Sequence, residues 1–116
     1  MNTIYKLLKN EEYLKLLRII NKNPDISQRE MSKNLGISLG KLNYCIKELR
    51  KKGIIKLKNF KDNKDRFNLN SKYNYFYILT AKGISVKTKL TINFMKKKLN
   101  EYDELKRESQ NENKKY

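Results

Sequence analysis

Residues 25–56 read "DISQREMSKNLGISLGKLNYCIKELRKKGIIK", and two helices in this stretch carry both their start and their stop signals. Ser27 stands where an N-cap belongs, Glu30 three residues on closes a capping box, and Ile26 with Met31 makes a hydrophobic staple. The helix opened in this way, 28–35, stops at Gly36, the residue type that takes a left-handed C-terminal turn at least cost. Two residues later Ser38 caps a second helix, with Ile37 and Leu42 in the staple positions. That helix runs to about Lys52 and ends at Gly53. Two helices joined by a short turn around glycine form the helix-turn-helix plan, here 27–52.

A helical wheel of 39–52 separates two faces. Leu39, Leu42, Cys45, Ile46 and Leu49 fall together and are expected in the core. Gly40, Tyr44, Lys47 and Lys51 lie opposite, with Lys41, Asn43 and Arg50 at the flanks. Cys45 on the inward face is expected to act as a small apolar filler rather than a redox group.

The flanking segments extend the pattern. Upstream, 11–22 reads as a helix capped by Asn10, with Glu11 and Glu12 at the positive end of its dipole. Leu14, Leu17 and Ile20 or Leu16 form its apolar stripe, and Pro24 ends it. Downstream of Gly53 the period changes. "IIKLKNF" (54–60) alternates as a strand does, and "KYNYFYIL" (72–79) is rich in aromatic and β-forming residues. The polar segment "KDNKDRFNLNS" (61–71) between them is expected to be the tip of a β-hairpin. The tyrosines of "YNYFY" could stack on single-stranded bases, but alternating aromatics on a strand more often pack against a helix.

From Thr80 the chain turns helical again, over 81 to about 110, with the terminal "ENKKY" expected to fray. Ile92, Met95, Leu99 and Tyr102 recur at three-four spacing, with Val86, Leu90 and Phe94 on an adjacent stripe. Thirty helical residues span about 45 Å, longer than a domain this small can cover with its own core. The expected class is mainly α with a small β-hairpin (α+β). The expected division is a winged helix-turn-helix unit, 1–79, with its wing at 54–79, and a long helix, 80–116.

Composition narrows the function. In 116 residues there are 28 Lys plus Arg against 12 Asp plus Glu, no histidine and one cysteine, giving a formal net charge of +16. Such a balance suggests a polyanionic partner, although Lys, Asn, Ile and Tyr are all abundant and part of the charge can be compositional. The excess is spread along the chain, about +3 over 1–23, +4 over 24–53, +4 over 54–79 and +5 over 80–116. The folded body itself is therefore expected to be basic. One cysteine excludes an internal disulfide, and no Cys/His cluster suits a metal. The first 24 residues lack a continuous apolar run, so neither a signal peptide nor a membrane span is expected there, and the chain reads as cytoplasmic. With no histidine, no metal cluster, no glycine-rich phosphate loop and no partnered nucleophile, no catalytic residue and no cofactor are expected, and an enzyme is disfavoured.

The order helix, helix-turn-helix, two-stranded wing, long helix resembles the winged helix-turn-helix transcription regulators of the MarR type. The residues carrying the likeness are "ISQREMSKNLGISLGKLNYCIKELRKKGIIKLKNF" and "YILTAKGI", where an L-T-x-x-G step leads from wing to helix. Within that superfamily the chain is similar to small regulators associated with exopolysaccharide gene clusters. The segment 61–71 departs from them, being several residues longer. The resemblance implies double-stranded DNA as partner, and a homodimer formed through Ile92, Met95, Leu99 and Tyr102 of the last helix.

The interface is then expected to comprise three groups. Gly40, Lys41, Asn43, Tyr44 and Lys47 lie on the recognition helix, whose N-terminal part contacts base edges in the major groove. Ser27, Gln28, Arg29 and Ser38 sit at helix starts, whose free amides suit phosphate. Lys61, Lys64 and Arg66 belong to the wing tip. Each residue also has a plainer reading: surface lysines on a helix are usually just solvated, and Ser27 and Ser38 cap. Two other functions fit the composition, a winged-helix adaptor binding another protein and a non-specific nucleic-acid binder.

Overall fold

The computed structural model describes residues 7–59 and 75–115. Its elements are α1 (Asn10–Lys22), α2 (Gln28–Leu35), α3 (Leu39–Lys51), β1 (Ile55–Asn59), β2 (Tyr75–Leu79) and α4 (Ala81–Lys115). The mainly helical class with one antiparallel hairpin and a long last helix is therefore present. The hairpin tip, 61–71, and with it Lys61, Lys64 and Arg66, lies outside the described residues.

Local chemistry fixes most boundaries. Ser27 Oγ accepts from the Glu30 amide at 3.1 Å, and Ser38 Oγ accepts from the Lys41 amide at 3.1 Å, so both expected caps are formed. α2 closes with Gly36 N–H donating to Lys33 O and Ile37 N–H to Ser32 O. α3 closes by the same paired pattern, Gly53 to Arg50 and Ile54 to Leu49. In each motif the glycine is left-handed, φ 70° at Gly36 and 71° at Gly53. A side chain at either position would be strained even though the space around it is open.

The start of α1 differs from the expectation. Asn10 is already helical and Lys9 holds the cap position. Lysine has no side-chain acceptor, so only half a capping box forms, with Glu12 accepting from the Lys9 amide at 3.0 Å. The other end of the chain differs too. α4 continues to Lys115, beyond the frayed end expected near residue 110.

One core joins the elements. Tyr13, Leu14, Leu16, Leu17 and Ile20 of α1 pack with Met31 of α2 and with Leu42, Cys45, Ile46 and Leu49 of α3. Ile54 and Ile55 bring the hairpin into this cluster, and Leu90 brings α4. Leu39 is the exception to the wheel. At the first position of α3 it is 43% exposed, because the inward direction there points past the end of the packed region.

In the hairpin Ile55 pairs with Leu79, Leu57 with Tyr77 and Lys58 with Phe76. Its second strand is tied back to the loop before α2 by Tyr77 N–H donating to Pro24 O at 3.2 Å. The L-T-x-x-G step now has a structural account. Thr80 Oγ1 accepts from the Gly83 amide, capping α4, while its own N–H donates to Ile54 O. Wing and long helix are thereby fastened to the end of the helix-turn-helix.

α4 divides along its length. Val86, Leu90 and Phe94 pack against the core, and Lys97 pairs with Glu11 of α1 at 3.6 Å. Ile92, Met95, Leu99, Tyr102 and Leu105 stand in solvent.

Candidate nucleic-acid interface

The outward face of α3 is where the wheel puts it. Gly40, Asn43, Tyr44, Lys47, Arg50 and Lys51 are exposed, and Lys41 is half-buried at the flank. Tyr44 is a large aromatic left 48% exposed, with Lys47 close by on the same face. Beneath them Leu42, Cys45, Ile46 and Leu49 are sealed in the core. The helix is thus held rigidly by one side and offered by the other, the condition for entering a groove as a unit.

Gly40 has no protein atom within 4 Å of where a Cβ would sit, so no internal packing demands glycine there. In the first turn of a helix glycine is unfavourable. Nothing within the fold accounts for glycine at this position.

The hairpin stands directly beside this face. Asn43 Nδ2 donates to Gln28 Oε1 at 3.1 Å, and Gln28 Nε2 donates to the Tyr77 hydroxyl at 3.1 Å. Recognition helix, start of α2 and second wing strand are joined by this chain of polar contacts. Gln28 spends both ends of its amide inside the protein, whereas Asn43 keeps its carbonyl oxygen and one N–H open to solvent among the described residues.

Arg29, next to the α2 cap, is exposed, and Ser27 is half-buried with its hydroxyl engaged as the cap. Ser38 is exposed at the start of α3. Two wing-strand cations escaped the sequence reading, which looked to the tip instead. Lys56 is exposed and Lys58 half-buried on the hairpin face opposite Ile55 and Leu57. The alternation of "IKLK" was the available signal. Tyr77 escaped as well, since its aromatic ring reads as packing and its hydroxyl contact is 49 residues from its partner.

Cations dominate the outward side of α3, where Lys47, Arg50 and Lys51 are exposed and Lys41 is half-buried. Among the described residues α3 carries one acid, Glu48, which is half-buried and lies 3.8 Å from Lys51, and Glu30 stands at the α2 start. Cys45, buried below, has its thiol pushed up in pKa chiefly by desolvation, against the lowering effect of Lys41. It is a protonated, inert group at neutral pH.

Among the described residues no group of His, Cys, Asp and Glu could hold a metal ion, and no helix is long and apolar enough to cross a membrane. Residues 14–56, from α1 to the first wing strand, match a family described as winged helix-turn-helix DNA-binding. Neither the curated proteins nor the solved structures contain a match to the chain. The helix-turn-helix and the hairpin that follows it have the winged helix-turn-helix architecture.

Proposed function

We propose that the chain is a sequence-specific regulator of transcription of the MarR type, acting in the cytoplasm as a homodimer on double-stranded DNA. α3 enters the major groove, with Gly40, Lys41, Asn43, Tyr44 and Lys47 toward the bases and phosphates. Ser27, Gln28, Arg29 and Ser38 lie toward the flanking backbone. The wing, with Lys61, Lys64 and Arg66 at its tip, lies on the adjacent backbone or minor groove. Regulation is by occupancy of an operator, and exopolysaccharide genes are the candidate targets that the resemblance suggests.

The observation that carries this reading is the exposed face of α3 beside a hairpin joined to it through Gln28. The exposed α4 stripe supports the dimer: a symmetric partner would cover Ile92, Met95, Leu99 and Tyr102. Two recognition helices would then meet half-sites about one helical turn, roughly 34 Å, apart. That stripe would equally serve an adaptor, so the deciding experiment addresses DNA. Fluorescence anisotropy with duplex fragments from the organism's own genome should show affinity falling by about three to five decades between roughly 50 and 200 mM salt, as 6 to 10 phosphate contacts require. A flat salt response, or equal affinity for single strands, would end the proposal.

A further inference from the structure

We infer that Asn43 is the base-reading residue of the recognition helix, set to take adenine, and that Gln28 and Tyr77 are the positioning residues that hold it in that setting. This rests on the DNA-binding reading above and adds what the helix reads.

Asn43 lies in the second turn of α3, exposed, at the flank nearest the wing. One hydrogen of its Nδ2 goes to Gln28 Oε1. The second hydrogen and Oδ1 have no protein partner among the described residues, so one donor and one acceptor of the amide remain for a ligand. In the major groove adenine presents N7 as acceptor next to N6 as donor, and an asparagine amide matches that pair with two hydrogen bonds. Guanine offers two acceptors at the same edge, and cytosine and thymine one polar group each. A paired donor and acceptor therefore selects adenine.

A free asparagine could turn its amide over and would pay rotamer entropy on binding. Here the amide is fixed by Gln28, and Gln28 is fixed at both ends. Its backbone follows the Ser27 cap, and its Nε2 is held by Tyr77, whose own N–H is bonded to Pro24 O at 3.2 Å and whose strand pairs with β1. The setting is thus built on three rigid elements, which is what preorganised recognition requires.

A purely structural role for the same contacts would lock the wing to α3 and influence all DNA sequences alike. Positioning would influence one base pair. Selection from a randomised duplex pool, followed by anisotropy with the selected site and its single-base variants, tells them apart. Wild-type protein should prefer adenine at one position per half-site by roughly ten- to a hundredfold. Asn43→Ala should bring that preference close to unity. Gln28→Ala and Tyr77→Phe should each reduce it by about threefold or more, and Tyr77→Phe, which lies outside the proposed contact set, should change affinity for unrelated duplex by less than about twofold. Tyr77→Phe keeps the ring and carries the test should Gln28→Ala fold poorly.

The inference fails if Asn43→Ala keeps every wild-type base preference. It fails equally if Tyr77→Phe weakens all sequences by one common factor. In both cases specific, salt-dependent binding by the wild-type protein leaves the regulator reading standing. Absence of duplex binding by the wild-type protein would remove both together.

Discussion

Gly83 is pressed against the main chain of Ile54, so that a Cβ at position 83 would overlap the Ile54 carbonyl oxygen and lie 3.1 Å from its carbon. The carbonyl cannot swing aside cheaply, because it accepts from the Thr80 amide at 3.0 Å, while the Thr80 hydroxyl is shared between the Gly53 and Ile54 carbonyls. The glycine of the L-T-x-x-G step is thus explained by close approach rather than by backbone freedom. Gly83→Ala should lower the unfolding free energy by about 1–3 kcal/mol, the ordinary range for overpacking. Urea denaturation followed by circular dichroism measures it, and an unchanged midpoint would show that α4 and the wing do not meet as described.

Gly40→Ala should behave in the opposite way. Open space surrounds the site, and alanine is the better helix former by about 1 kcal/mol. The variant should therefore be more stable, by up to about that amount. If the bare backbone at Gly40 is there for a DNA phosphate to approach, duplex affinity should fall even as stability rises. A variant that is both more stable and binds as tightly would remove Gly40 from the interface.

What could be read in the sequence, and what could not, follows from the range of each interaction. Both helix starts and both glycine stops were legible because capping is local: Ser27 to Glu30 and Ser38 to Lys41 are contacts three residues apart. A wheel gives the direction of a side chain but not whether anything stands opposite it. Leu39 was therefore placed inside with Leu42, although the helix start overhangs the core. The same limit applied to α4. Two apolar stripes were visible, but only packing reveals that Leu90 is covered while Leu99 is bare. The Asn43–Gln28–Tyr77 chain spans 15 and then 49 residues and leaves no local mark.

The bare α4 stripe carries its own expectation. Met95 and Leu99 are 62% and 60% exposed on the protomer, so charging them should leave the protomer folded. If this stripe joins two copies as proposed, the wild-type protein should sediment as a dimer and the double variant Met95→Glu, Leu99→Glu as a monomer. Operator affinity should fall with it, since each half-site is then bound alone. Unchanged sedimentation would show that Ile92, Met95, Leu99 and Tyr102 are not what joins two copies.

Cys45 gives a pH signature whose sign is set by burial. Desolvation, reinforced by Glu12, raises the thiol pKa in the folded protein, and Lys41 offsets only part of this. Above the pKa of the unfolded thiol, about 8.5, the folded state therefore holds a proton that the unfolded chain has lost. The contribution to stability is fully present below that pH and is lost as pH rises through the higher folded value. The comparison is with Cys45→Ala, which removes the thiol alone. That variant should start less stable, because it leaves a small cavity, yet lose less of its stability between about pH 8 and 10. A parallel loss in the two proteins would mean that the thiol is in contact with water, as would labelling of native Cys45 by a thiol reagent at the rate of the urea-unfolded chain.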